Sequence, residues 1–345
     1  MNVSIIGATG YGGAELVRIL QAHPEVAIYS VHSSSRHGKP IIDSYPHMQT
    51  AADLLLEDLD VDTLKRKVDL VFLATPSGVS AKLAPELLSK GMKVIDLSGD
   101  FRLKDHQVYE SWYQKKAADH NWLKKAVYGL TEWVEQDLQE VDFIANPGCY
   151  PTAALLGLLP LVKNEFIEPN SIIVDAKSGV SGAGRGISET AHFSEANEST
   201  KIYKVNAHQH TPEIEQMLFK WNSDVQPITF STHLVPMTRG IMTTIYANAV
   251  KETNLDELYE LFSERYQDAY FVRVRNKGLF PSTKEVFGSN FCDIGIAYDE
   301  RTQRITVVSV IDNLVKGAAG QAVQNMNKML GFEEKTGLNF VPVYP

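Results

Sequence analysis

Val3-Ser4-Ile5-Ile6-Gly7-Ala8-Thr9-Gly10-Tyr11-Gly12-Gly13 is the stretch from which the fold is read. Four residues of strand character run into a glycine-rich turn, and a helical pattern follows from about Gly13 to Gln21. Glycines let the backbone approach a pyrophosphate, and the helix that follows offers its free N–H groups to the anion. Gly7, Gly10 and Gly13 space as G-x-x-G-x-x-G rather than G-x-G-x-x-G, so the weight rests on the strand–turn–helix context. Within that context Gly7, Thr9, Gly10, Tyr11, Gly12 and Gly13 are the expected dinucleotide contacts.

Working outward, a second strand at 27–31 ends in His32-Ser33-Ser34-Ser35-Arg36. A site for NAD usually carries an acid here for the ribose hydroxyls. Ser33, Ser35 and Arg36 instead suit a 2′-phosphate, so NADP is expected over NAD; the bland alternative is a polar surface loop. Residues 68–74 read as a strand buried on both faces, Pro76-Ser77 as the start of a helix reaching Leu87-Leu88, and 92–97 as a further strand. This alternation predicts a parallel sheet with helices on both faces. From Asn170 the texture changes to strands at 229–234, 241–250, 271–274, 291–297 and 304–311, as in a mixed or antiparallel sheet. A last helix, 317–330, follows Asp312-Asn313 and is expected to pack back on the first domain. The expected division is 1–148 with 313–345, and 149–312.

The 345 residues suffice for two domains, and 44% apolar content is ordinary for a globular chain. Thirty-three basic against 42 acidic residues give a net charge of −9, which argues against a nucleic-acid partner. The longest apolar run, 153–162, is too short to cross a bilayer, no signal peptide is visible, and two cysteines give no reason to expect an oxidising compartment. The expectation is cytoplasmic.

Cys149 lies in Asn146-Pro147-Gly148-Cys149-Tyr150-Pro151-Thr152, between a strand-like run (143–145) and a helix-like run. A cysteine at such a junction meets the positive end of the helix dipole, which favours the thiolate. Cys292, in an apolar strand, fits a buried structural thiol. A thiolate enzyme needs an acid/base partner, and Asn206-Ala207-His208-Gln209-His210-Thr211-Pro212-Glu213 supplies two candidates. Thr211 reads as the N-cap and Pro212 as the first helical residue, so the dipole should lower both histidine pKa values. If the segment is extended, both rings face one side. His210 is preferred as the acid/base and His208 as a substrate contact; His192 and His233 are weaker alternatives. A metal between the two histidines is disfavoured because no further Cys/His cluster exists.

These segments resemble the N-acetyl-γ-glutamyl-phosphate reductase family of the aspartate-semialdehyde dehydrogenase superfamily, over essentially the whole chain. The similarity is carried by Gly7–Gly13, Asn146–Thr152, Asp100-Phe101-Arg102-Leu103, Tyr128-Gly129-Leu130-Thr131-Glu132, Ser178 to Arg185, His208 to Ile214 and Asp312 to Ala319. Gln209 departs from it, since many relatives carry a basic residue there. The resemblance implies an α/β fold: an N-terminal Rossmann-like parallel-sheet domain completed by the C-terminal helix, plus an α+β substrate and dimerisation domain. It implies an NADPH-dependent acyl-phosphate reductase of arginine biosynthesis acting through a Cys149 thioester, as a homodimer or homotetramer. Pro76, Ser181, Gly182 and Asn313 would border the cofactor. Arg102, Arg185, Asn146 and Glu213 would bind substrate. The alternatives are a sibling reductase acting on aspartyl phosphate or carrier-bound aminoadipyl phosphate, and an NADP-sensing regulator without turnover.

Overall fold

The computed structural model describes residues 1–51 and 53–344. Packing divides them into two compact units: Met1–Gly148 with Ala318–Phe340, and Cys149–Gly317 with the tail from Val341.

The first unit holds seven strands: β1 (Asn2–Ile6), β2 (Ala27–His32), β3 (Leu56–Glu57), β4 (Leu70–Leu73), β5 (Lys93–Asp96), β6 (Val127–Tyr128) and β7 (Phe143–Ala145). They pair in the order β3-β2-β1-β4-β5-β7-β6, every pairing parallel. β4 reads Leu-Val-Phe-Leu and is buried throughout, as a central strand covered on both faces must be. The strand order reverses between β1 and β4, so residues 7–13 emerge at the switch point where open α/β sheets bind ligands.

The helix after Pro76-Ser77 starts at Ser80, later than expected. Gly78, at φ +91°, turns the chain, and the Asp100 carboxylate accepts the N–H groups of Gly78 (2.7 Å) and Ala81 (2.9 Å), so a turn precedes the helix. The C-terminal helix (Gly320–Met329) follows a π-helical turn at Val315–Ala319 and packs on the Tyr11–Leu20 helix. Its buried Asn325 donates to Gly129 O (2.8 Å) and accepts from Thr131 (2.7 Å).

The expected return of the chain at Asn313 is corrected. Asn313 Oδ1 accepts from the Gly240 N–H (2.8 Å) and its Nδ2 donates to Ser181 (3.0 Å), which holds residues up to Gly317 in the second unit. The tail also joins that unit, where Val343 N–H donates to Phe287 O (2.9 Å).

The second unit holds β8 (Ile173–Gly179), β9 (Lys201–Tyr203), β10 (Thr229–Val235), β11 (Ile241–Asn248), β12 (Val272–Val274), β13 (Cys292–Asp299) and β14 (Arg304–Ile311). The order is β12-β13-β14-β11-β8-β10-β9; β12/β13 and β8/β10 run parallel and the remaining pairs antiparallel. The Cys149–Lys163 helix is buried from Tyr150 to Val162 and lies on β11 and β14. Gly157 permits that approach, because a Cβ there would stand 2.8 Å from Ile245 Cδ1. With no polar face, this helix is stable only as the centre of a core.

Candidate active site

The nucleotide loop is built by close backbone approach. Gly7 has φ +92°, and a Cβ on it would lie 2.4 Å from Ala74 O; a Cβ on Gly13 would lie 2.3 Å from Gly7 O. The N–H groups of Gly7 and Ala8 both donate to His32 O (3.0 and 3.1 Å), locking the loop to the end of β2. Gly10 occupies the N-cap of the Tyr11–Leu20 helix, with no side-chain cap and no acid in the first turn. Thr9, Ser33 and Ser35 form a hydroxyl chain (3.1 and 3.4 Å) beside exposed Arg36. A glycine-rich cradle, an uncapped helix start and hydroxyls with a guanidinium at the end of β2 fit a dinucleotide phosphate group. Tyr45 donates to Thr9 O (3.0 Å) and braces the loop, a role its local sequence does not announce. Pro76 is exposed in the turn after β4.

Cys149 is half-buried and is the first residue of its helix. Tyr150, next in the chain, packs its ring against His208 (centroids 5.3 Å, near-perpendicular) and His210 (6.0 Å). The two imidazoles lie 4.8 Å apart, and both are buried. Their segment is a turn, not the extended run expected: Asn206 has φ +54°, and the His210 N–H donates to His208 Nδ1 at 3.1 Å. The expected cap is also corrected. His210 holds the N-cap position without a side-chain cap bond, and Thr211 begins the Thr211–Trp221 helix.

His208 has its pKa lowered to about 3, first by burial and then by the Lys204 charge. Desolvation thus does what the sequence assigned to the helix dipole. Lys204 also donates to Gln209 Oε1 (2.6 Å), bringing a cation beside the position where the resemblance leads one to expect it. Tyr203 donates to Tyr150 Oη (3.1 Å), and its own pKa is pushed up to about 12 by burial, with the Cys149 charge adding to the rise.

Two expected substrate contacts, Arg102 and Asn146, are also held by bonds within the chain. Arg102 is buried, and its Nε and Nη2 donate to the main-chain oxygens of Asn146 (2.8 Å) and Leu97 (2.7 Å). Asn146 donates to Ala318 O (3.1 Å) and accepts from Asn325 Nδ2 (3.2 Å). These bonds tie the end of β7 to the C-terminal helix, so both side chains brace the loop that leads to Cys149. Arg185 is exposed in the loop after the short helical turn Val180–Ala183, and Glu213 is fully buried in the first turn of its helix. Ser181, Gly182 and Asn313 are brought together: a Cβ on Gly182 would lie 3.9 Å from Asn313 Nδ2. The His233 side chain, on β10, stands against Asp175 at 3.2 Å, and exposed His192 precedes a short helix.

Sequence reasoning missed Gly317. A Cβ there would lie 2.7 Å from Cys149 Cβ, so the π-helical turn reaches the cysteine only because residue 317 is glycine. Its signal was the Lys316-Gly317 step after Asp312-Asn313, readable only once the fold brings that step to Cys149. Cys292 is fully buried, its Sγ 3.3 Å from Ser309 Oγ. Among the described residues, no group of three His, Cys, Asp or Glu side chains is arranged to hold a metal ion.

Two family models match the chain: "Semialdehyde dehydrogenase, NAD binding domain" over residues 2–141 and "Semialdehyde dehydrogenase, dimerisation domain" over residues 149–313. The chain therefore belongs to the semialdehyde dehydrogenase family. Its similar curated relatives are named N-acetyl-gamma-glutamyl-phosphate reductase. One from Geobacillus sp. (strain WCH70) is 62% identical over 345 residues, covering all of both chains, and one from Bacillus anthracis is 56% identical over 344, again covering all of both. The fold is that of solved aspartate semialdehyde dehydrogenases. The enzyme II of Vibrio cholerae, complexed with ASA, superposes with TM-score 0.73 at 18% identity, covering 96% of this chain and 98% of that one. The Candida albicans enzyme, solved with NADP, gives TM-score 0.69 at 16% identity, with the same coverage.

Proposed function

We propose that this chain reduces N-acetyl-γ-glutamyl phosphate to N-acetylglutamate 5-semialdehyde and phosphate, with NADPH, as a step of arginine biosynthesis. The observation that carries this reading is Cys149 at the head of a buried helix, with the next residue, Tyr150, packed on both His208 and His210. The Cys149 thiolate attacks the acyl carbonyl; a C–S bond forms, the C–O bond to phosphate breaks, and phosphate leaves a thioester on Sγ. NADPH, when bound, supplies the hydride that reduces the thioester carbon. His210 gives its proton to the resulting oxyanion and takes it back as the C–S bond breaks, releasing the aldehyde and the thiolate. Arg185, an exposed guanidinium, would bind a substrate carboxylate or phosphate, and Glu213 lies one turn from His210.

Ser33, Ser35 and Arg36 support NADP rather than NAD as the cofactor, held over Gly7, Thr9, Gly10, Tyr11, Gly12 and Gly13. The dimerisation-domain match supports a homo-oligomer, dimer or tetramer. No helix among the described residues is long and apolar enough to cross a membrane, and a cytoplasmic location is proposed with the biosynthetic role.

The test runs the reaction in reverse, following NADPH absorbance with NADP, phosphate and a panel of semialdehydes. N-acetylglutamate 5-semialdehyde should give phosphate-dependent turnover at least about tenfold above aspartate semialdehyde in kcat/KM. A preference for aspartate semialdehyde, or turnover that ignores phosphate, would overturn the assignment.

A further inference from the structure

We infer that Tyr150, Tyr203 and His208 form a proton-silent brace that fixes His210 relative to Cys149, so that His208 is a positioning residue rather than the proton carrier or a substrate contact. The inference rests on the reading of His210 as acid/base. It follows from the direction of each hydrogen bond.

A backbone N–H can only donate, so the bond from His210 N–H obliges His208 Nδ1 to accept. That leaves the ring neutral, with its proton on Nε2. Nε2 faces Tyr203 Oη at 3.5 Å; Tyr203 donates to Tyr150 Oη at 3.1 Å; Tyr150 donates to His233 O at 3.4 Å. The chain thus runs one way and ends on a carbonyl, which cannot pass a proton on. A relay would need an end that titrates.

The surroundings keep every member neutral. His208 sits among the rings of Tyr150, Tyr203 and Phe230, at 5.3, 5.6 and 5.6 Å. The nearest cation on its own segment is Lys204, which disfavours imidazolium further. Burial raises both phenols, and the Cys149 charge raises them more. Between about pH 4 and 10 none of the three changes charge, while the brace spans the residue after the nucleophile and the amide of the acid/base. Thr232 Oγ1 anchors its outer end on Tyr203 O (2.7 Å).

The chemistry predicts a rescue. Asparagine offers Oδ1 near the place of histidine Nδ1, so His208→Asn retains the acceptor for the His210 amide, whereas His208→Leu does not. His208→Asn should keep kcat within about tenfold of the unsubstituted enzyme, with the pH limbs of kcat intact; His210→Asn should lose about a hundredfold or more and its limb. Tyr203→Phe should lower kcat a fewfold without deleting a limb. A His208→Asn variant as damaged as His210→Asn, or one missing a pH limb, overturns the brace. Nitrogen-15 spectra of the unsubstituted protein need no variant to fold: His208 should hold the neutral Nε2–H tautomer from pH 5 to 9, and titration in that range also overturns it. Cys149→Ser is the control. If that variant turns over, the covalent reading fails first; if it is dead while His208→Asn matches His210→Asn, the brace alone fails.

Discussion

The Gly7–Gly13 loop and the Cys149 site are assembled in opposite ways. The loop is made of neighbours in sequence, and backbone does its work: two glycines where any Cβ would clash and main-chain bonds to His32 O. The cysteine site gathers side chains from 149–150, 203–210 and Phe230, held by rings and one-way hydrogen bonds, with Gly317 closing on Cys149. A site built from backbone tolerates side-chain change but not added volume. One built from side chains depends on the identity of each side chain as well.

The largest effect should come from the cysteine side. Cys149→Ser should retain the fold and nucleotide binding yet lower turnover by about a thousandfold or more, since a neutral alcohol is a far poorer nucleophile than a thiolate. Cys292→Ser, at a buried thiol with Ser309 already in reach, should stay within about a factor of two in activity. Equal losses at both cysteines would break the distinction between them.

Next comes added volume on the backbone side. Gly7→Ala combines a φ of +92° with a Cβ 2.4 Å from Ala74 O, so it should cost about 2 kcal/mol or more and abolish tight nucleotide binding. Calorimetry and NADP titration check both. Ser33→Ala, which only trims a hydroxyl, should fold normally. Arg36→Ala should lower discrimination between NADP and NAD by about tenfold in kcat/KM, leaving stability unchanged, because its side chain is exposed. If that ratio does not move, the 2′-phosphate reading of the serine run is wrong.

Acid sharpens the comparison by the smallest margin. Burial lowers the pKa of His208, to about 3, and also lowers those of His23 and His32. Below about pH 6.5 the unfolded chain takes up protons that the folded imidazoles refuse, so stability is complete above that pH and is lost as pH falls toward 3. The melting temperature should drop between pH 7.5 and pH 5, and His208→Asn should flatten part of the drop.

The two regions were unequally legible in the sequence. β1, the glycine turn and its helix form one short-range pattern, and the strand that starts at Arg304 ends at Ile311 as its alternation predicts. Cys149 and the histidine pair were visible as turn chemistry. Which histidine does what was not, because it depends on an amide-to-imidazole bond inside a turn that reads as extended. The resemblance cast Arg102 and Asn146 as substrate ligands. Within the chain both are also held by main-chain carbonyls, and Asn146 by Asn325, supplied from the far end of the chain. Gly317 carried no local sign of its closeness to Cys149.

The return of the chain at Gly317–Ala318 has a consequence for synthesis. A ribosome makes the seven parallel strands first, then the whole mixed-sheet unit, and only then the Gly320–Met329 helix whose Asn325 satisfies Gly129 and Asn146. Until that helix emerges, the nucleotide-binding half waits unfinished, with polar groups meant for burial still open to water. Residues 318–340 are therefore its final assembly step, and a nascent chain stalled before residue 320 would present a chaperone with a parallel sheet whose last covering helix is missing.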